Sequence, residues 1–242
     1  MEWRLHHRRE TASTNADAIC GAPWDVFTAD FQTAGRGRLG HKWLSEPGEN
    51  LIMSAVVPVG GLAADHAATL PLAVGLAVAD GLAPWTDVAL KWPNDIMAGD
   101  RKIAGILCER HGDNVVAGVG VNVGQRKFPD EIAWRATSLA LLGAGANVAE
   151  VRDSVLASLA DVCDKWRNCG FASVWPRIAA IDWLKGRELA VAQTDDDAEP
   201  VRGICGGIQR DGFLLVGAIA VWAGEAHVLE NPNCALPRCS VD

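Results

Sequence analysis

The chain has 242 residues, a length that fits one large domain, or one large and one small domain, with a core of ordinary size. Hydrophobic residues make up 49% of the sequence and charged residues 21%, a balance typical of folded globular proteins, which excludes disordered and fibrous chains. The formal net charge of −8 disfavours a protein that binds nucleic acid through general electrostatic attraction.

Neither a membrane span nor a secretory signal is found in the sequence. Its longer apolar stretches, such as 70–78, are far shorter than the roughly 18 to 20 residues that cross a bilayer. Residues 1–10 are rich in His and Arg and no apolar run follows them, so we expect a cytoplasmic protein without membrane contact. The seven cysteines are scattered without a C-x-x-C pair, which favours free thiols over a disulfide framework or a zinc site.

Short strand-like runs and two helical segments alternate in the first half of the chain. A helix is predicted to begin at Ser13 and to reach Ile19, and a longer Ala- and Leu-rich helix is predicted over Leu62–Leu82. Runs rich in Val, Ile, Leu and Phe, bounded by turn residues, predict strands of one sheet at Phe27–Thr33, Leu51–Val59, Val88–Trp92, Lys102–Arg110 and Val115–Val123. This order indicates an α/β or α+β fold.

The second half begins with a long helix and ends in short strands. Apolar residues recur at helical spacing over Asn147–Asn168, which predicts a helix with one buried stripe. After Trp183, glycine-punctuated runs predict the strands of a small β-barrel at Glu188–Ala192, Val201–Ile208, Gly212–Val216 and Ala226–Leu229. The acidic run Asp195–Asp197 is predicted to be a solvated hairpin loop. We expect a main domain over 1–183, a barrel over 184–232 and a tail over 233–242.

The most concentrated chemical signal is the glycine-rich segment Gly35–Trp43, which follows a predicted strand. It contains G-x-G-x-x-G, but a loop with Pro47 follows it instead of a helix, and the next strand ends without an acid, so a dinucleotide site is excluded. A kinase is excluded because the chain has no H-R-D catalytic loop. Glycines with Arg36, Arg38 and Lys42 suit an anionic ligand, although a mobile loop with water-facing arginines is an equal alternative.

Three further segments bear on function. Lys91–Asp95 and Arg101–Gly105 form a hairpin-like pair with charges at both ends, in which Asp95 could hold Mg²⁺ or orient an amine. Alternate glycines in Gly118–Asn122 indicate the close approach of a ligand or of another backbone segment. Ser13–Asn15 lies at a predicted helix N-terminus, where ordinary helix caps are the favoured interpretation for that segment alone.

Together these segments resemble biotin protein ligases in their order and spacing. The motifs that carry the resemblance are Ser13–Asn15, Gln32–Trp43, Lys91–Asp95, Arg101–Gly105 and Gly118–Asn122. The stretch from Trp183 to Leu229 is similar to the small C-terminal barrel of that family. The resemblance implies an α+β fold: a mixed sheet flanked by helices, as in the class II synthetase-like catalytic domain of biotin and lipoate ligases, followed by an SH3-like barrel.

The activity that the resemblance implies has two steps. Biotin and ATP form biotinyl-5′-AMP with release of pyrophosphate, and the biotinyl group then passes to a lysine of a biotin carboxyl carrier protein. The resemblance gives catalytic roles to Arg38, Lys102 and Asp95. It places biotin at Ser13, Thr14, Asn15, Gln32, Gly35, Arg36, Gly37, Arg38, Lys102 and Gly105. It places the nucleotide at Arg38, Trp43, Asn94, Asp95 and Asn122, with Mg²⁺ carried by the substrate phosphates and no metal-ligating residue assigned.

The glycine-rich loop is expected to close over the intermediate and shield it from water. Leu39 departs from the family pattern, because many members carry a basic residue there. Only residues 1–12 precede Ser13, too few for the helix-turn-helix domain of members that also repress transcription, so we expect no DNA binding. Oligomeric state stays open, with a homodimer as one option.

Two other functions stay open at this stage. A lipoate ligase or octanoyltransferase would share the fold and also acylate a carrier lysine, although the loop, the Lys91–Asp95 segment and the barrel favour biotin. A non-catalytic protein that binds biotin or nucleotide is the second alternative. Arg38, Lys102 and Asp95 argue against it, because binding alone would not require these transfer groups together.

Overall fold

The computed structural model describes residues 2–192 and 199–229. The predictions for the acidic run 195–197 and for the tail 233–242 fall outside these ranges. The main part of the chain is built on a seven-stranded sheet with the strand order β1-β2-β3-β7-β6-β5-β4. Its strands are β1 (Arg4–Thr11), β2 (Asp25–Gln32), β3 (Asn50–Pro58), β4 (Ala89–Lys91), β5 (Asp95–Ala98), β6 (Arg101–His111) and β7 (Asn114–Asn122).

The sheet is mixed, as predicted. Strands β1 and β2 run parallel, and the other neighbours are antiparallel. The predicted strands are confirmed with ends that shift by a residue or two. The hairpin-like pair expected around Asp95 is confirmed, because β5 pairs with both β4 and β6.

Strand β1 was not predicted, because its sequence lacks the alternation of apolar and polar residues on which strand prediction depends. It is an edge strand with most of its residues exposed, so polar side chains are tolerated along it. Cross-strand contacts hold it to β2: Arg4 Nε donates a hydrogen bond to Asp25 Oδ1 at 2.7 Å, and the His6 ring stacks on Phe27.

In the described part of the chain, six α-helices accompany the sheet: α1 (Thr14–Ala18), α2 (Ala64–Ala68), α3 (Leu70–Leu82), α4 (Asp130–Ala133), α5 (Val148–Cys169) and α6 (Trp175–Ala180). The single helix predicted over 62–82 is wrong, because it is broken at Thr69 into α2 and α3. The Thr69 hydroxyl donates to the His66 carbonyl, and Pro71, which has no N–H to donate, stands in the first turn of α3.

The long helix α5 begins as the sequence predicts. Asn147 Oδ1 accepts from the Glu150 N–H at 2.9 Å and Glu150 Oε2 accepts from the Asn147 N–H at 3.2 Å, a capping box that satisfies two free donors. The predicted apolar stripe is confirmed, since Val151, Val155, Leu159, Val162 and Trp166 are fully buried. Helix α5 packs on α3, where Gly81 leaves room for Val155.

The C-terminal part forms a second, antiparallel sheet in the order β11-β10-β9-β8-β12. Its strands are β8 (Glu188–Ala192), β9 (Val201–Ile208), β10 (Leu214–Val216), β11 (Ile219–Val221) and β12 (Glu225–Val228). This agrees with the small barrel expected there. Strand β11 was not predicted, because it has only three residues. The strand predicted over Gly212–Val216 begins later, at Leu214, because Gly212 lies in a turn with φ +88°.

The barrel is fixed to the main part by partly buried polar contacts and by a shared core. The indoles of Trp92 and Trp175 donate to the carbonyls of Gly212 and Ile208 at 3.2 and 2.8 Å. Asp182 accepts from the backbone N–H of Ile208 at 2.8 Å. One cluster of buried apolar residues includes members of both sheets. We keep the domain limit at 183/184 as a proposal.

No helix in the described part of the chain is long and apolar enough to cross a membrane. The cysteines that the structure describes, Cys20, Cys108, Cys163, Cys169 and Cys205, are free. Burial raises the pKa of Cys163 to about 12 and that of Cys205 to about 11, so both thiols are protonated at neutral pH. Over 2–192 and 199–229, no group of three or more His, Cys, Asp or Glu side chains is placed to hold a metal ion.

Candidate active site

A cavity of about 450 Å³ opens on one face of the main sheet. Its floor is formed by β3, β6 and β7, and its walls by the start of α1, the loop 33–45, the β4–β5 turn and the barrel strand β12. Each of these elements carries a segment that the sequence singles out, except β3 and β12, and β12 comes from the other sheet. The cavity therefore lies where the main part, the loop and the barrel meet.

The loop 33–45, which we call the flap, folds back on itself between β2 and β3. The Gly37 N–H donates to the His41 carbonyl at 2.7 Å, and the Trp43 N–H donates to the Gly35 carbonyl at 3.0 Å. A Cβ added at Gly35 would lie 2.6 Å from the Trp43 carbonyl oxygen, so this close approach requires glycine. The flap is thus a short ribbon that carries its arginines over the cavity.

The glycines of β6 and β7 make room for the indole of Trp43. A Cβ at Gly105 would lie 3.1 Å from both Trp43 Cζ3 and Lys102 Nζ, and one at Gly120 would overlap the indole. The sequence predicts a close approach by a ligand or a backbone segment; in this structure the approaching group at Gly120 is a flap side chain. Trp43 Nε1 is buried and has no hydrogen-bond partner among the described residues.

A chain of neutral polar side chains, which we call the polar cluster, lies at one end of the cavity. Ser13, Thr14, Asn15 and Gln32 line the cavity, and the fully buried Ser54 lies behind them. Gln32 Oε1 accepts from the Thr14 N–H at 2.8 Å and lies 3.1 Å from Thr14 Oγ1. Ser54 Oγ lies 2.7 Å from Thr14 Oγ1 and 2.6 Å from Asn15 Oδ1. Apart from half-buried Gln32, these residues are buried, so their donors and acceptors have fixed directions.

The helix-cap interpretation of Ser13–Asn15 is wrong for Ser13. Ser13 occupies the N-cap position of α1, yet among the described residues its side chain makes no cap hydrogen bond. The residue lines the cavity instead. The hydroxyl is therefore available to a ligand.

The other end of the cavity is rich in positive charge. Lys102 Nζ lies 2.5 Å from Asp95 Oδ1. Arg38 Nη1 donates to Asn94 Oδ1 at 3.4 Å and to the Gly224 carbonyl of the barrel at 3.3 Å. The basic residues that line the cavity are Arg36, Arg38, Lys42, Lys91, Lys102 and Arg135, against the acids Asp95 and Glu225.

Burial acts on two of these cations. It lowers the pKa of Lys91 and that of Arg38, while the negative charges of Asp95 and Glu225 oppose the shift in both cases. The charged forms lack much of their hydration, so an anionic ligand would replace water as their partner. This end of the cavity is suited to phosphate or carboxylate groups.

Two cavity amides also bind the backbone. Asn94 Nδ2 donates to the Ile106 carbonyl at 2.8 Å, which ties the β4–β5 turn to β6. Asn122 Nδ2 donates to the Thr137 carbonyl at 2.9 Å. Both residues therefore shape the cavity as well as line it.

The structure brings the sequence-predicted site residues together. All of them line the cavity except Gly35, which lies beside it in the flap. Sequence reasoning missed the cavity residues Arg135 and Glu225, and it did not select Lys91 from the Lys91–Asp95 motif. It also missed Ser54, which is buried behind the cavity wall and contacts Thr14 and Asn15. Ser54 carried a signal, because it is a lone hydroxyl in the apolar run of β3. Glu225 carried none, because only the packing of the barrel brings it here.

Comparisons with known proteins identify the family of the chain. Residues 23–125 match the model of the biotin/lipoate A/B protein ligase family. The biotin–acetyl-CoA-carboxylase ligase of Mycobacterium tuberculosis is 40% identical over 191 residues, which cover 74% of this chain and 69% of that protein. The bifunctional ligase/repressor BirA of Escherichia coli is 32% identical over 213 residues, which cover 83% of this chain and 64% of that protein.

A solved structure extends the match to the barrel. The biotin protein ligase of Aquifex aeolicus in complex with biotin and ATP superposes with a TM-score of 0.82 at 30% identity. The superposition covers 93% of this chain and 97% of that one. The chain therefore belongs to the biotin/lipoate A/B protein ligase family.

Proposed function

We propose that this protein is a biotin protein ligase. It joins biotin and ATP to form biotinyl-5′-AMP, releases pyrophosphate, and transfers the biotinyl group to a lysine of a biotin carboxyl carrier protein. The observation that carries the proposal is that one cavity joins a buried neutral polar cluster to a cation-rich end. Biotin requires both environments, because its ureido ring is polar and uncharged while its carboxylate must meet a triphosphate.

The polar cluster suits the ureido ring. The ring presents a carbonyl acceptor and two N–H donors, and the hydroxyls of Ser13 and Thr14 with the amides of Asn15 and Gln32 offer both kinds of partner. Because these side chains are already aligned by hydrogen bonds at 2.6–3.1 Å, an analogue without matching groups would leave buried polar atoms unpaired. The cluster therefore sets specificity for biotin.

The cation-rich end suits the first chemical step. A biotin carboxylate oxygen attacks the α-phosphorus; the new O–P bond forms as the bond to pyrophosphate breaks, and the electron pair leaves with pyrophosphate. Arg38, Lys91 and Lys102 reduce the repulsion between the two anions and stabilise charge on the phosphate oxygens. Mg²⁺ carried by the phosphates would neutralise further charge when bound, with Asp95 and Glu225 as the cavity carboxylates able to meet it.

The second step transfers the acyl group. The uncharged amine of the carrier lysine attacks the biotinyl carbonyl, a C–N bond forms, and the C–O bond to AMP breaks. Asp95 and Glu225 are the cavity carboxylates that could take the proton of the amine. The flap opens to admit substrates and closes afterwards, so that the mixed anhydride is kept from water until the carrier arrives. We propose that this reaction takes place in the cytoplasm, where its substrate ATP is present.

Biotin is favoured over lipoate because the Mycobacterium, Escherichia coli and Aquifex proteins named above are described as biotin ligases or as ligase/repressor. A non-catalytic binding protein is disfavoured by the ion pair of Lys102 and Asp95, which places transfer groups together beside the cavity.

The test is pyrophosphate release by the full chain with ATP and Mg²⁺, given biotin or lipoate. We expect release with biotin and little with lipoate. Faster release with lipoate would replace the proposal by a lipoate ligase, and no release with either, together with measurable biotin binding, would leave the binding protein.

A further inference from the structure

Glu109 lies on β6 beside the cavity, outside the motifs that carry the family resemblance. In the β6–β7 register Gly105 faces Gly120, Leu107 faces Gly118, and Glu109 faces Val116. Alternate residues of a strand point to the same face, so Glu109 shares the face of Gly105 and Leu107, which line the cavity. Its side chain is 28% exposed. A carboxylate thus lies at the border between the polar cluster and the solvent side of the flap.

The two carboxylate oxygens of Glu109 have different partners. Oε2 accepts a hydrogen bond from Asn15 Nδ2 at 2.6 Å, and Oε1 lies 3.5 Å from Arg36 Nη2. Asn15 belongs to the buried wall and Arg36 to the flap. One side chain, held on a central strand, therefore touches both the fixed and the covering part of the site.

The contact with Asn15 fixes the direction of the polar cluster. An ionised carboxylate only accepts hydrogen bonds, so the amide nitrogen of Asn15 must face Glu109 and its oxygen must face Ser54, where Oδ1 lies 2.6 Å from the hydroxyl. Ser54 in turn contacts Thr14 at 2.7 Å. The Leu107 carbonyl, 3.4 Å from the same nitrogen, favours this orientation too, so Glu109 supplies the shorter of the two contacts that set the direction of the Asn15 amide.

The contact with Arg36 holds the flap. Within residues 2–192 and 199–229, Glu109 is the acidic partner of Arg36. The backbone of Arg36 bridges to Lys42 on the opposite side of the ribbon, so an anchor on Arg36 restrains both sides. Because the Arg36 side chain is 54% exposed, the ion pair is weak enough to open and close.

We propose that Glu109 is a positioning residue: it ties the flap, through Arg36, to the polar cluster, through Asn15, and so slows the escape of the activated intermediate. The inference rests on the proposed function. It makes closure of the flap and alignment of the biotin pocket depend on the same carboxylate, so that the flap closes most tightly when the pocket is correctly ordered.

The test compares the full chain with Glu109→Gln, with Arg36→Ala and with the double variant. Glu188→Gln, a change of the same kind at an exposed barrel position, is the control. Each protein is loaded with biotin, ATP and Mg²⁺, and the release of biotinyl-5′-AMP is followed after a chase with unlabelled biotin. Melting curves check that each variant is folded.

We expect Glu109→Gln to speed release by about three- to tenfold, the range for loss of one half-exposed ion pair with weakening of one hydrogen bond. The KM for biotin should rise while the KM for ATP stays within about twofold. Arg36→Ala should speed release by a similar factor, and Glu109→Gln should then add less than about twofold. High salt should narrow the gap between wild type and Glu109→Gln, because the ion pair is screened.

Release from Glu109→Gln at the wild-type rate, or an undiminished effect in the Arg36→Ala background, would overturn the inference and leave the proposed function intact. If Glu109→Gln does not fold, the exposed Arg36→Ala variant tests the inference by itself. Release of biotinyl-5′-AMP from Arg36→Ala at the wild-type rate would show that the contact between Arg36 and Glu109 does not hold the flap. A wild-type protein that makes no biotinyl-5′-AMP would overturn the proposed function, and the positioning role with it.

Discussion

The two ends of the cavity are built in different ways. The polar cluster rests mainly on buried residues of α1 and β3, and its members satisfy one another through short hydrogen bonds. The cation-rich end is assembled from the flap, the β4–β5 turn, β6 and the barrel, and its charges are incompletely paired. The first end is fixed before a ligand arrives, whereas the second depends on several segments coming together. Under the proposed function, the part of the cavity that would recognise biotin is preorganised, whereas the part that would activate it requires assembly.

The largest expected effect is at the cation-rich end. Lys102→Ala and Arg38→Ala should each lower the rate of adenylate formation on the order of a hundredfold, because each removes a charge aimed at the reacting phosphate. Pyrophosphate release in a single turnover measures this. Arg101→Ala, next to Lys102 but exposed, is the control. Near-normal rates in both variants would show that these charges do not act on the phosphate.

A second prediction concerns the glycines of β6 and β7, which lie on the cavity floor between the two ends. Gly120→Val adds a side chain that would overlap the indole of Trp43, so the flap could not close over the floor. We expect a loss of about tenfold in kcat/KM and faster escape of the intermediate. Gly145→Val is the control, because a Cβ at Gly145 meets no atom within 4 Å. An active Gly120→Val variant that retains its intermediate would exclude closure by Trp43.

A substitution in the polar cluster should change the KM for biotin instead of kcat. Thr14→Val keeps the shape of the side chain but removes the hydroxyl between Ser54 and Gln32. Loss of a buried hydrogen bond is worth about 1–3 kcal/mol, so the KM for biotin should rise about tenfold while the KM for ATP is unchanged. Thr86→Val, outside the cavity, is the control. An equal rise in both KM values would contradict the division of the cavity into two ends.

The smallest effect concerns stability. Burial lowers the pKa of Lys91 and thus disfavours its charged form in the folded protein. A lowered pKa in the folded state means that stability rises as the pH increases toward the unfolded value of 10.5. Lys91→Met should therefore raise the melting temperature at pH 7, by roughly 2–4 °C, while it slows adenylate formation.

Calorimetry of the ligand-free protein measures the shift, and the same change at exposed Lys127 is the control. A lower melting temperature for Lys91→Met would show that Asp95 and Glu225 more than offset the cost of burying its charge. In that case the cation-rich end would be fixed before the ligand arrives, as the polar cluster is.

Most of the framework could be predicted from the sequence, because buried strands and helices carry periodic apolar patterns. The stripe of α5 and the strands β3 and β7 are examples. The exposed edge strand β1 was missed because backbone pairing, which leaves no mark in side-chain polarity, holds it in place. The break at Thr69 was missed because apolar spacing continues across it.

The site was predictable where its residues cluster in the chain and was not where folding alone unites them. Arg38, Lys102 and Asn15 stand in short motifs with unusual composition. Glu225 lies far from them in sequence and reaches the cavity only through the packing of the barrel, which the indole of Trp92 helps to fix. The role of Glu109 depends on a strand register, and a register cannot be read from single residues.

The most direct test of the central claim is the intact mass of a biotin carboxyl carrier domain after incubation with the full chain, biotin, ATP and Mg²⁺, beside the same reaction with Lys102→Ala. The account predicts a mass increase of one biotinyl group with the wild-type protein and an unchanged carrier mass with the variant over the same time. An unmodified carrier with wild type, or equal modification by both proteins, would contradict it.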